Sequence, residues 1–194
     1  MDVLQALFFS LLQIGVLPAY PTGKGHGWEA QRSPIAKLLG PFDALVLLVS
    51  AIGHDVGHPG VNNAFLVTLK SPLAQLYNDK SVLEAFHCAA YSQILRRHWK
   101  AVYEDAEFRR LLINTILATD MGIHPEYMAN LGYLQEKLHH DGGTEGWTAK
   151  LTQSNKDLVL GLLIKCADIS NVVSYTLNPN FVSPLTGNRL DHST

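Results

Sequence analysis

The sequence predicts an all-α protein, a compact multi-helix bundle, and three stretches carry that expectation. Residues 42–52 are apolar almost without interruption, Ser81 opens a long helical stretch that runs to about Trp99, and residues 158–169 form another apolar helical run. A helix with almost no polar face is tolerated only when sunk in a bundle. At 194 residues, 47% hydrophobic and 16% charged, the chain can bury a real core as a single globular domain. A net charge of −2 with no basic run argues against nucleic acid or an acidic membrane surface as partner.

Taken in order, Met1 to Leu17 reads as a core helix with Leu4, Leu7, Phe8 and Leu11 on one face. Asp2, Gln5, Ser10 and Gln13 interrupt it and no Lys or Arg precedes it, so neither a signal peptide nor a membrane span is expected. Pro18, Pro21, Gly23, Gly25 and Gly27 then mark a surface loop, in which the lone His26 has no assigned role. Ser33-Pro34 is expected to open a short turn ahead of Pro41, where the first apolar helix starts. That helix carries Ala44, Leu45, Leu47, Leu48, Val49 and Ile52, and it delivers His54 and Asp55 at its C-terminal end, inside the protein. An imidazole and a carboxylate are costly to bury there, and a divalent cation compensates both at once. A hydrogen-bonded His–Asp pair closing the helix is the alternative. His58 follows four residues after His54 and shares its face if the helix continues, until Pro59-Gly60 stops it.

Asn62 to Leu69 reads as a short helix, with Asn62 and Asn63 either capping it or, for Asn63, hydrogen-bonding close to the His–Asp pair. Ser81-x-x-Glu84 has the spacing of a capping box; Glu84 is either the cap partner or, with His87 three residues on, aimed into the same site. Residues 105–120 form a helix with Phe108, Leu111, Leu112 and Ile116 as its apolar face, ending at Thr119-Asp120. His124 reads as a surface or structural histidine, and residues 141–146 as a flexible connection. Gln153-Ser154 is expected to cap the helix over 158–169, where Asp168 requires a partner in the interior; a metal at His54 and Asp55 would be one. Cys88 and Cys166 have no metal spacing, which fits reduced thiols in a cytoplasmic protein.

The string His54-Asp55-x-x-His58-Pro59-Gly60-x-x-Asn63-x-Phe65 resembles the central motif of class I 3′,5′-cyclic nucleotide phosphodiesterases, a branch of the HD-domain metal hydrolases. Three more segments follow in that family's order. They are Tyr77-Asn78-Asp79-x-Ser81-Val82-Leu83-Glu84-x-x-His87, Leu117-Ala118-Thr119-Asp120-Met121 and Lys165-Cys166-Ala167-Asp168-Ile169-Ser170-Asn171. The resemblance implies a partial catalytic domain over residues 1–172 and an irregular tail over 173–194. It implies hydrolysis of cAMP, cGMP or both at two divalent ions, with Asp55 bridging them and acting with His58 in catalysis. His54 and Asp168 would hold the tighter ion, expected to be zinc; the second, with Asp55 and mostly water as ligands, suits magnesium or manganese. Asn63, Glu84, His87, Thr119 and Asp120 would order the surrounding water, and Asn171 would touch substrate.

The family's H-N-x-x-H-A motif, expected just before Asp2, and its purine-holding helices, expected from about residue 173 where the tail stands instead, have no counterpart in this sequence. The bundle is therefore expected to be incomplete, with exposed helix faces favouring self-association and with hydrolysis by the chain alone near background. A domain that serves as a binding partner, or another HD-type phosphohydrolase, is the alternative. Asn63, Glu84-x-x-His87 and Ala167-Asp168-x-Ser170-Asn171 argue against the latter.

Overall fold

The computed structural model describes residues 3–18 and 36–177, with side chains described as far as residue 170. Most of the expected loop before Pro41, including Ser33-Pro34, lies outside the described residues, as does the chain from 178 onward. Every regular element among the described residues is helical, as expected.

Helix α1 (Val3–Gln13) turns Val3, Leu7 and Leu11 inward, onto α2 (Pro41–Gly53) and α9 (Ala149–Leu177). That i, i+4, i+8 line leaves Phe8 100° round the helix and 47% exposed, so Phe8 does not join the core as expected. In α2, Pro41 occupies a first-turn position whose N–H has no helical use, and the Asp43 carboxylate accepts the Gly40 N–H at 2.8 Å. The Lys156 ammonium, from α9, lies 2.8 Å from the other Asp43 oxygen, an ion pair off the hydrogen-bond direction. Val46, Leu47 and Val49 are buried, each contributing about 1.5–3 kcal/mol. One flank of the helix is nevertheless open, with Leu45 and Ile52 exposed. The apolar run is thus a wall of the bundle among the described residues, not its axis.

Beyond the site loop come α3 (Asn63–Thr68), α4 (Pro72–Leu76) and α5 (Val82–His98). Asn62 caps α3 by accepting the Phe65 N–H, and Ser71 caps α4 by accepting the Ala74 N–H. Asn78 and Asp79 both take left-handed backbone (φ 54° and 60°), the conformation Asn and Asp tolerate best, and so turn α4 back into α5. Ser81 is left-handed as well, at φ 41°. A capping serine needs extended backbone for its hydroxyl to reach the helix N–H groups, so the expected capping box does not form. Its hydroxyl donates to Asp120 instead, at 2.7 Å.

The short α6 (Lys100–Tyr103) leads to α7 (Ala106–Leu117), capped by Asp105, with Phe108, Leu111, Leu112 and Ile116 buried against α2, α5 and α9. Helix α8 (His124–Asp141) is one the sequence reading does not anticipate; it buries only Leu134 and so carries no strong apolar period. Gly142 ends it in the left-handed conformation that favours glycine. Helix α9 starts before the expected Gln153-Ser154 cap: the Thr148 hydroxyl accepts the Leu151 N–H, and Gln153 and Ser154 lie inside the helix. It also runs past 172 to Leu177, contrary to an irregular tail from 173. Each added residue gains one backbone hydrogen bond, no Gly or Pro interrupts 170–177, and Pro179 is the first residue that disfavours continuation. Arg110 of α7 grips Asp157 of α9 in a bidentate pair at 2.6 and 3.1 Å, tying the helix that leads into Thr119-Asp120 to the helix that bears Asp168.

Cys88 is buried, which pushes its thiol up to about 12, whereas Cys166 is exposed. No helix among the described residues is long and apolar enough to cross a membrane.

The C-terminus of α2 is set against α5 by a close approach at Gly53, where an added Cβ would stand 2.4 Å from the Tyr91 ring. Tyr91 donates its hydroxyl to the Val49 carbonyl at 3.0 Å, so the ring has little freedom to retreat. Gly53→Ala is expected to destabilise the protein by about 1–3 kcal/mol through overpacking, read as a lower midpoint in urea at unchanged slope.

Candidate metal centre

His54 is the residue immediately after α2 and is 8% exposed. Its Nδ1–H donates to the Ala51 carbonyl at 2.9 Å, which leaves the Nε2 lone pair facing outward. Two carboxylates meet it there: Asp168 Oδ1 at 3.4 Å and Asp55 Oδ2 at 3.7 Å. The other oxygen of Asp55, Oδ1, stands 3.7 Å from Nε2 of the buried His87, whose Nδ1–H donates to the Val56 carbonyl at 2.9 Å. Asp55 therefore sits between two histidines, each with one ring nitrogen committed to the backbone.

His58 does not share the face of His54. The backbone of Gly57 is left-handed (φ 75°), which ends the helical path and carries His58 to the side of His87, ring over ring at 5.5 Å. A β-carbon at Gly57 would also come within 3.0 Å of the Phe86 ring. Ligand atoms of Asp55, His58 and His87 all lie within 4.8 Å of one another. The Gly60 N–H donates to His58 Nδ1 at 2.9 Å, so in the neutral ring Nε2 carries the proton. His58 is by that count a hydrogen-bond donor toward the site and the poorer ligand of the three.

Two clefts open from this cluster. One, of about 340 Å³, is lined by Leu4, Ile52, His54, Asp55 and Asp168. The other, of about 700 Å³, gathers His58, Asn63, Glu84, Thr119 and Asp120, residues spread over more than sixty positions of sequence. Asn63 donates to Glu84 at 2.9 Å and accepts the Leu83 N–H at 2.8 Å, so it caps α5 rather than its own helix, the one expected, and its amide holds the Glu84 carboxylate. Glu84 thus faces the site, not the surface. Asp120 accepts from Ser81 and from the Gly122 N–H, and the Thr119 hydroxyl donates to the Ile116 carbonyl. Asn171 lies on α9, but its side chain is outside the described residues.

The family profile of 3′5′-cyclic nucleotide phosphodiesterase matches residues 1–178. The chain belongs to this phosphodiesterase family. It is 37% identical over 133 residues to 3′,5′-cyclic-nucleotide phosphodiesterase 2 of Saccharomyces cerevisiae, a match covering 68% of this chain and 22% of that protein. With the high affinity cGMP-specific 3′,5′-cyclic phosphodiesterase 9A of Mus musculus it shares 36% identity over 138 residues, covering 68% of this chain and 24% of that one. The crystal structure of yeast caPDE2 superposes with a TM-score of 0.69 at 35% identity, over 88% of this chain and 34% of that chain. The phosphodiesterase domain of Salpingoeca rosetta rhodopsin phosphodiesterase gives 0.62 at 27%, over 87% of this chain and 45% of that one. The chain thus spans under half the length of each of these relatives.

The donor set of this phosphodiesterase chain fits divalent metal. Neutral His54 presents a lone pair to two carboxylates, three acceptors converging without a proton, and the 3.4 Å gap to Asp168 is what two ligands on one ion at about 2.1 Å subtend near the tetrahedral angle. The backbone carbonyls on the far ring nitrogens of His54 and His87 are the orienting partners that ligand histidines use. Without metal the same carboxylates favour a proton on His54: burial lowers its pKa, but the Asp168 hydrogen bond, the Ala51 carbonyl and the charges of Asp55 and Asp168 outweigh it, and the net direction is up.

His87, expected to order water, approaches Asp55 directly, and Lys165, to which the sequence assigned no role, is 2% exposed. The spacing Glu84-x-x-His87 and a lone lysine inside an apolar run were the available signals.

His54→Ala and Asp168→Ala are each expected to weaken divalent-metal binding by roughly 10- to 100-fold in a calorimetric titration, whereas equal binding by both variants and the native chain would refute the site. A histidine pKa raised on folding stabilises the protein below its unfolded value near 6.5, and the contribution is lost as pH climbs through the folded value. Metal-free protein is accordingly expected to melt at lower temperature as pH rises beyond 6.5, and His54→Ala to flatten that slope.

Proposed function

We propose that this chain contributes the metal-binding half of an active site that hydrolyses 3′,5′-cyclic nucleotides, cAMP or cGMP, to 5′-nucleotides. The observation that carries the reading is Asp55, whose two carboxylate oxygens lie 3.7 Å from His54 and 3.7 Å from His87, a placement that would let one carboxylate serve two ions. His54, Asp55 and Asp168 would hold a tighter ion, zinc by its mixed nitrogen and oxygen donors, while Asp55 and water, with His87 beside them, suit magnesium or manganese. Bound there, two divalent ions supply an acidified water and Lewis-acid stabilisation of charge on the phosphate oxygens.

The chain's own side chains do the rest. His58, with its proton on Nε2, donates toward the phosphate or toward water at the mouth of the cleft. Glu84, held by Asn63, and Asp120, held by Ser81 and Gly122, offer carboxylate oxygens that accept and orient water protons. Thr119 fixes the turn that carries Asp120. Asn171, one turn from Asp168 on α9, would meet the nucleotide. A setting in cytoplasmic cyclic-nucleotide signalling agrees with the two free cysteines, and the exposed Phe8, Leu45 and Ile52 give apolar surface for self-association or for a partner segment.

Because the relatives are longer, the test uses their framework: residues 3–177 replace the matching segment of the yeast phosphodiesterase. The chimera is expected to hydrolyse cAMP, and Asp55→Ala to lower kcat by at least ~10²-fold with a native circular-dichroism spectrum. A chimera whose hydrolysis ignores Asp55 would overturn the reading.

A further inference from the structure

Lys165 is the one buried lysine or arginine of the site region among the described residues, and nothing in the chemistry above uses it. Its Nζ donates to the backbone carbonyl of Asp120 at 2.8 Å and lies 5.2 Å from the centroid of the Tyr127 ring. No carboxylate among the described residues pairs with it directly. An ammonium this enclosed needs compensation, and the charges that supply it belong to Asp120, Asp168 and Glu84, three carboxylates of the two clefts. Burial draws the lysine below its ordinary range and those three charges draw it back.

The packing around it is specific. Gly161, one turn earlier on α9, has no side chain, and a Cβ there would stand 2.5 Å from the Tyr127 ring. That gap lets the aromatic face of α8 lie against α9 beneath the ammonium. From this seat Lys165 reaches across to the carbonyl that also receives the Ile123 N–H at 3.4 Å, at the base of the turn whose side-chain oxygens take Ser81 and Gly122. Lys165 and Asp168 are three apart on one helix, so a single face of α9 presents a candidate metal ligand and a fixed positive charge together.

We propose that Lys165 is a positioning residue of the metal centre: it pins the Thr119–Asp120 turn through the Asp120 carbonyl and, as an ammonium among the site's carboxylates, limits how tightly the clefts take up divalent ions. The second half of this rests on the metal-binding reading above; the first half does not. Removing the charge leaves the carboxylates less balanced, so a neutral variant holds metal more tightly even though its turn is looser. A lysine that merely filled space would behave the other way, its loss loosening the site and weakening metal.

The test uses the full chain with Lys165→Met, which keeps the stem without charge or donor, Lys165→Gln, which keeps a donor, and Lys165→Arg, which keeps the charge. In metal-free protein, amide hydrogen exchange at Gly122 and Ile123 is expected to speed up at least several-fold in Lys165→Met and to stay near native in Lys165→Arg. In Mn²⁺ titrations at low salt, Lys165→Met and Lys165→Gln are expected to bind on the order of tenfold more tightly than native, with Lys165→Arg unchanged. Mn²⁺ affinity that is unchanged or weaker in both neutral variants overturns the electrostatic role, and unaltered exchange at Gly122 and Ile123 in Lys165→Met overturns the positioning role. If Lys165→Met does not fold, Lys165→Gln carries the affinity comparison and Lys165→Leu, likewise without charge or donor, carries the exchange. Failure of native protein and Asp55→Ala alike to take up Mn²⁺ removes the metal reading and with it the electrostatic role, while the exchange result still decides the positioning one.

Discussion

An imidazole at the end of an apolar helix, with one nitrogen tied to its own backbone and the other aimed at two carboxylates, is the constraint around which this protein is arranged. His54 is nearly enclosed, and the Ala51 carbonyl fixes which nitrogen faces the cleft. Once that is fixed, α9 must approach closely enough to bring Asp168 to 3.4 Å, and α1 must lie beside both to close the wall. The Arg110–Asp157 clasp and the Lys156–Asp43 pair act at the other end of the same helices, holding α7 and α2 to α9 a few turns from the site. Partly buried pairs of this kind add little net stability, but they select one register of packing over its neighbours.

Asp55 makes the arrangement double. A carboxylate 61% exposed in its side chain, flanked by two histidines that are not, is the solvent-facing member of an otherwise enclosed set. Its flanking histidines come from different places, one at the end of α2 and one inside α5, so the spacing of the two imidazoles about Asp55 is set by how α2 leans on α5. The Gly53–Tyr91 contact controls that lean. Backbone compactness at a glycine thus translates into spacing between charged groups.

Most of the helices were legible because their apolar periods are strong, as in Phe108, Leu111, Leu112 and Ile116 of α7. Helix α8 was not, since a helix that buries a single leucine writes almost no pattern into its sequence. The residues proposed for the candidate site stood in ordered motifs, and the structure brings His54, Asp55, His58, Asn63, Glu84, His87, Thr119, Asp120 and Asp168 to one cluster and its two clefts. What the motifs could not convey was direction. Spacing put His58 on the face of His54, but one left-handed glycine sent it across to His87. Spacing made Ser81 a helix cap, but its left-handed backbone gave its hydroxyl to Asp120, thirty-nine residues away. Both outcomes depend on single φ angles, and local residue preference does not determine those where tertiary contacts compete.

The contrast between the two thiols gives the molecule a built-in chemical handle. Cys88 is buried and its thiol is held up to about 12, so at neutral pH it presents almost no thiolate, and what little forms is out of reach of a reagent. Cys166 is exposed on α9 two residues before Asp168. An alkylating probe therefore discriminates between them without mutagenesis, and a fluorophore or spin label carried by Cys166 would ride on the helix that bears the cleft carboxylate.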